Sequence, residues 1–257
     1  MKAMGDCRWA IGALALVTLA GCPSRPVISA ALDPLALAAW HGQPRAVAAV
    51  LYLTSIDPQG ERTSVTLHLW HAADGRTRIL MTKVDHEVLS ALIGSDGAFI
   101  AYAPRTDRST SGELADPQLP AGLAELRLLI SEVIDGPLPQ GFVATGAGEQ
   151  PQILTGRSGS FQAQITVDAH SAEVREKSLV LPDGRLAYQL RYSQYRAFDG
   201  LHRPYKVEAT ASDGSTVIAY LRRFDALGDI SAERMRLTIP ASAQAVVPAD
   251  FLEHLDQ

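Results

Sequence analysis

Only two cysteines occur in the 257 residues, Cys7 and Cys22, and both lie at the extreme amino end. Everything after Cys22 is free of thiols. A disulfide framework is therefore excluded, and the folded part must hold together by packing. The rest of the chain also lacks any run of about 18 apolar residues, the length at which a membrane helix is read. No basic cluster stands out against a net charge of −5, which argues against nucleic acid or anionic head groups as the main partner. Gly146, Gly148, Gly156 and Gly159 are not followed by a lysine next to serine or threonine and do not form a dinucleotide fingerprint. They are read as an exposed loop region rather than a phosphate cradle.

What is present is concentrated first at the amino end. Leu19-Ala20-Gly21-Cys22 closes a twelve-residue apolar run, Trp9 to Ala20, that follows the basic residues Lys2 and Arg8. Basic start, apolar middle and small residues before a cysteine make the signal of a bacterial lipoprotein. The run is shorter than the roughly 20 residues needed to span hydrocarbon. Cys22 is the expected lipidation site, its thiol taking a diacylglyceryl group and its amine, freed by cleavage, a further acyl chain. At about 0.8 kcal/mol per buried CH₂, three chains make an effectively permanent anchor.

Residues 1–21 are then a signal peptide, 22–32 a lipidated linker and 33–257 a single domain. The mature chain has 236 residues and about −6 charge, because Lys2, Asp6 and Arg8 leave with the signal. Pro23 rather than aspartate after the cysteine points, by the usual lipoprotein sorting rule, to the outer membrane with the domain facing the periplasm.

Asp33 and Pro34 predict the start of a short helix over Leu35–Trp40. From Arg45 the pattern changes to alternation. Strands are predicted from Arg45, then over 62–71, 77–84, 87–93 and 98–103, turning at Asp74-Gly75, Asp85-His86 and Asp96-Gly97. With two-residue turns at those places, counting assembles one face from Val65, Leu67, Leu69, Leu80, Val84, Leu89, Ala91, Ile93, Ile100 and Tyr102. The opposite face is also substantially apolar, so the sheet must be covered on both sides or must cover something itself. Leu123, Leu126, Ile130 and Val133 predict a helix over 120–134, stopped by Asp135-Gly136-Pro137. A second strand block follows over 161–168, 173–181, 185–195, 205–211, 215–223 and 234–239.

This order of elements, with the strand Ser95-Asp96-Gly97-Ala98-Phe99-Ile100-Ala101-Tyr102-Ala103-Pro104, the segment Tyr205-Lys206-Val207-Glu208 and the ending Met235-Arg236-Leu237-Thr238-Ile239-Pro240, resembles the LolA/LolB superfamily of outer-membrane lipoprotein carriers and receptors over about residues 33–240. The resemblance implies a mainly β (α+β) fold, an antiparallel incomplete β-barrel with helices covering its concave side. It implies a cavity for lipoprotein acyl chains, and Cys22 puts the chain on the receptor-like side, where a periplasmic carrier protein is a possible partner. Receptor members carry a protruding apolar loop residue, to which no position of this sequence is assigned. The expected cavity lining is Val65, Leu67, Leu69, Leu80, Leu89, Ala91, Ile93, Ile100, Tyr102, Leu123, Leu126 and Ile130. Taken singly, each of these is more often core than lining; only the set carries the expectation.

Catalytic readings are weaker, and neither catalytic residues, a metal site nor a cofactor is expected. His68 and His71 are three apart on a strand and face opposite ways. Gly156-Arg157-Ser158-Gly159-Ser160 lacks the last glycine of a nucleophile elbow. Asp85-His86-Glu87 reads as a solvated turn. Two alternatives to a hydrophobic-ligand binder remain: an interaction module of an envelope complex with a filled core, and an uncharacterised hydrolase.

Overall fold

The computed structural model describes residues 44–114, 121–137, 143–145, 151–158, 161–168 and 171–252. Cys22, the signal and linker, and the helix expected over Leu35–Trp40 lie outside the described residues. Two antiparallel meanders make up the protein. The first is β1 (Ala46–Ile56), β2 (Arg62–His71), β3 (Thr77–Lys83), β4 (His86–Ile93), β5 (Ala98–Ala103) and β6 (Arg108–Glu113). The second is β7 (Val143–Thr145), β8 (Gln152–Ser158), β9 (Phe161–Val167), β10 (Val174–Val180), β11 (Leu186–Phe198), β12 (Leu201–Ala211) and β13 (Thr216–Leu227). Antiparallel pairing of β1 with β13 fuses them into one open fourteen-stranded sheet, β14-β6-β5-β4-β3-β2-β1-β13-β12-β11-β10-β9-β8-β7. The two-residue β14 (Gln244–Ala245) adds to β6 in parallel. Its neighbour in sequence, the short helix α2 (Pro248–Leu252), buries Phe251 in the core.

Because β6 and β7 lie toward opposite edges, the chain between them must cross the sheet. Helix α1 (Ala121–Ile134) lies on that crossing. Leu129, Ile130 and Val133 join the main core with residues of β1, β2, β3, β4, β5 and β13, while Leu128 packs on the second core beneath β8 to β12. The face turned to α1 is called inner here. Its residues include Val47, Ala49, Leu51 and Leu53 of β1 and Leu67 and Leu69 of β2, all buried. The outer face is covered at one end by Ile230 and Met235, which pack on Ala46 and Ala48.

The turns correct the expected register. The β2–β3 and β4–β5 connections are three-residue loops, closed by Ala72 N donating to Arg76 O at 2.9 Å and Gly94 N donating to Ala98 O at 2.7 Å. Each uses a glycine at positive φ, Gly75 at 88° and Gly97 at 87°, as the glycine of a three-residue hairpin does. One residue more than assumed slips each register by one and exchanges the faces. Leu80, Ile100 and Tyr102 therefore stand on the outer face, and Ile79, Met81, Phe99 and Ala101 take their places inside. The β3–β4 turn is Val84-Asp85, with φ of 50° and 63°, not Asp85-His86. A bulge between Met81 and Thr82 restores Leu89, Ala91 and Ile93 to the expected inner face.

Two further expectations fail. Residues 234–239 form no strand, and Met235 is instead the apolar anchor of a segment lying on the outer face. The presumed loop around Gly156 is strand β8, whose apolar positions are too few to show alternation.

Candidate functional site

The inner face beneath α1 has an apolar half and a polar half. In the apolar half, Ile79, Leu89, Ala91 and Phe99 of the sheet meet Leu126 and Ile130 of α1 across a cleft. The cleft leaves about 20 Å³ of free space between these residues, room for about one water. Val65 and Ile93 lean on the same core from its margin.

The polar half is built from α1, β10, β11 and β12. Lys177 Nζ donates to Glu132 Oε1 at 2.6 Å, with side chains only 1% and 3% exposed. The Tyr192 hydroxyl donates to Glu132 Oε2, also at 2.6 Å. Each carboxylate oxygen thus has a donor, which is what a buried charge requires. Arg203 is buried beside them, its guanidinium 5.2 Å from the Phe224 ring centroid. Burial pulls Arg203 down to about 10, opposed by Asp135 and Glu132, so it stays cationic at neutral pH. Gly136 ends α1 with φ at 80°, and a Cβ there would collide with Arg203 Nη1. Glycine is required twice over, by conformation and by the close approach. The carboxy-terminal half of α1 is therefore tied to the sheet by polar contacts, whereas its middle rests on the apolar cleft.

Burial pushes Tyr192 and Tyr195 well above the usual value, helped by the Glu132 and Glu173 carboxylates respectively. Unfolded phenols ionise near pH 10 while these two keep their protons. The stability they contribute is whole below that pH and is lost as pH rises beyond it, by about 1.4 kcal/mol per pH unit per tyrosine. Denaturant midpoints measured above pH 10 should fall less steeply in Tyr192→Phe than in the parent, the slopes differing by about 1.4 kcal/mol per pH unit; equal slopes would show that Tyr192 is not a buried phenol.

No protein-family model matches this sequence, and no curated protein sequence does. Solved structures do match in fold. A LolA superfamily protein of Nitrosomonas europaea superposes with a TM-score of 0.55 at 10% identity, covering 80% of this chain and 99% of that one. A domain described as a putative outer membrane lipoprotein-sorting protein of Vibrio parahaemolyticus gives 0.56 at 12%, covering 79% and 94%. A DUF1329 family protein of Desulfovibrio piger gives 0.58 at 14%, covering 79% and 95%. The fold is LolA-like.

Within the LolA-like sheet, the expected lining residues fall into three groups. Val65, Leu67, Leu69, Leu89, Ala91 and Ile93 share the inner face with Leu126 and Ile130 of α1. Leu80, Ile100 and Tyr102 are on the outer face, where Ile100 is 39% exposed and the Tyr102 hydroxyl donates to Asp107. Leu123 lies in α1 at a position whose side chain is outside the described part. Ile79 and Phe99 line the cleft but were not expected there; a three-residue turn at each DG dipeptide was the signal for them. The buried Glu132–Lys177–Tyr192 cluster was also missed, because its members lie 45 and 60 residues apart. His68 stacks on Trp70 on the outer face, while His71 Nδ1 meets Thr77 Oγ1 at 2.9 Å on the inner side. Among the described residues no group of three His, Cys, Asp or Glu is placed to hold a metal ion.

Proposed function

We propose that this protein is an envelope lipoprotein that binds hydrophobic ligands, with the acyl chains of lipoproteins in transit to the outer membrane as its cargo. The observation that carries the proposal is the continuous apolar inner face of β1 to β5, roofed by the apolar side chains Leu126 and Ile130 of α1. A ligand chain would enter where Leu126 and Ile130 now lie over Ala91, as that part of α1 lifts. Binding sites for apolar ligands are concave, apolar and few, and the solved folds similar to this one include a domain described as a putative outer membrane lipoprotein-sorting protein. Cys22 would anchor the domain by its acyl chains, in the outer membrane and facing the periplasm. Val84 fits the receptor-like reading: it is 86% exposed at the tip of the β3–β4 turn, in a positive-φ conformation that β-branched residues avoid. The small free volume of the cleft favours a second reading, an interaction module with a filled core.

One experiment separates the two. The Cys22→Ala chain is expected either to stay as the unprocessed precursor or to leave the membranes in soluble form, and unchanged size together with membrane retention would count against the anchor. Titrated with a fluorescent fatty-acyl probe, that chain should bind saturably. Adding Ala91→Trp should weaken binding by at least about tenfold, equivalent to about 1.4 kcal/mol. Because α1 yields before the sheet does, the stability cost should stay near the low end of the roughly 1–3 kcal/mol of overpacking. Absence of probe binding in the Cys22→Ala chain would leave the filled-core module as the better account.

A further inference from the structure

The outer face carries a strip of aromatic and arginine side chains where β2, β1, β13 and β12 run side by side. Ala48, Val50 and Tyr52 of β1 have Trp70, His68 and Thr66 opposite them on β2, and Asp225, Arg223 and Tyr220 opposite them on β13. At one end an open groove of about 220 Å³ is lined by residues including His68, Trp70, Arg223 and Arg234. At the other end the Arg196 guanidinium lies 3.6 Å from the Tyr205 ring centroid. Arg222 stands 5.7–5.9 Å from the rings of Tyr52, Tyr205 and Tyr220 and donates from Nη1 to the Tyr205 hydroxyl at 2.6 Å.

The charge of this strip runs against that of the chain. Arg223 is neutralised by Asp225 at 2.6 Å and Lys206 by Glu208 at 3.0 Å. Arg196, Arg222 and Arg234 are exposed, and among the described residues none of them is in an ion pair. Three uncompensated guanidiniums thus gather on one face of a chain whose net charge is −5. They come from positions far apart in sequence and form no basic run.

We propose that this strip binds an acidic, extended peptide segment of a partner protein, with carboxylates on Arg196, Arg222 and Arg234 and an apolar side chain in the groove beside Trp70. Stacking uses the face of the Arg196 guanidinium and leaves its in-plane N–H donors, the geometry that grips a carboxylate with two parallel hydrogen bonds. The groove is recessed and holds the volume of several waters. It accepts an inserted side chain, whereas a membrane surface is met by projecting aromatic residues. Tyrosine, tryptophan and arginine are also the residues that concentrate binding energy at protein interfaces.

The test uses the full chain in neutral detergent and a fluorescein-labelled peptide of alternating glutamate and phenylalanine, with its lysine-for-glutamate counterpart as control. Fluorescence anisotropy should show saturable binding of the glutamate peptide and none of the lysine peptide. The double variant Arg196→Gln, Arg222→Gln should melt like the parent and bind at least about tenfold more weakly, since both charge-assisted contacts to carboxylate are lost. Arg185→Gln, in the exposed β10–β11 turn, should bind as the parent does. Absent glutamate-peptide binding, equal binding of the lysine peptide, or an unaffected double variant would overturn the proposal. So would arginine-dependent binding to phosphatidylglycerol vesicles without peptide binding, which would assign the strip to a membrane surface.

Discussion

Replacing Lys177 by methionine is expected to lower stability by about 3–5 kcal/mol, the cost of leaving one partner of a buried ion pair without the other. That is a large part of the roughly 5–15 kcal/mol that holds a typical domain. Lys177 reaches Glu132 from β10 at 2.6 Å, and the pair is shut away from solvent. Without the ammonium group, the Glu132 carboxylate keeps the hydrogen bond from the Tyr192 hydroxyl but loses its ion-pair partner. The same reasoning predicts that adding Glu132→Gln to Lys177→Met recovers much of the loss, because a neutral amide still accepts from Tyr192 and the carboxylate left without its ammonium partner is gone. Denaturant unfolding of the two single variants and the double variant closes the cycle. A Lys177→Met midpoint equal to that of the parent would show that the pair does not hold α1 to the sheet.

Ile130→Ala should act on stability and ligand binding in opposite directions. Ile130 is 7% exposed and fills the roof of the apolar cleft, so truncation should cost about 2–5 kcal/mol in the absence of ligand. The space it opens is the space proposed for an acyl chain. Ligand that binds only the folded state returns about 2.7 kcal/mol at a hundredfold excess over its dissociation constant. Saturating fatty acid should therefore raise the melting temperature of Ile130→Ala by more than it raises that of the parent. A filled core predicts the loss without any ligand-dependent recovery in either protein.

Strand order within the first meander was legible because its turns carry strong punctuation, Asp74-Gly75 and Asp96-Gly97. Which face each strand shows was not, because one glycine at positive φ serves a two-residue and a three-residue loop alike, and the choice between them moves Leu80 and Ile100 across the sheet. Strands β6 and β8 escaped for another reason. The sequence of β6, Arg108–Glu113, is Arg-Ser-Thr-Ser-Gly-Glu, so a strand near the sheet edge carries no hydrophobic period to read. Helix α1 was legible from Leu126, Ile130 and Val133, and its stop from Gly136. The reason for that glycine was not, since Arg203 packs against it from a strand 67 residues further on. The apolar half of the candidate site was thus visible as periodicity, whereas the polar half and the arginine strip exist only through long-range pairing.

The central claim is that the inner face carries lipid, and extraction of the protein purified from bacterial envelopes tests it most directly. Organic solvent removes non-covalent lipid and leaves any chains bonded to Cys22 in place, so mass spectrometry of the extract counts cargo alone. The account predicts acyl-chain lipid in near-stoichiometric amount from the parent and much less from Ala91→Trp. An extract empty of lipid, or one equally rich from both proteins, would contradict it.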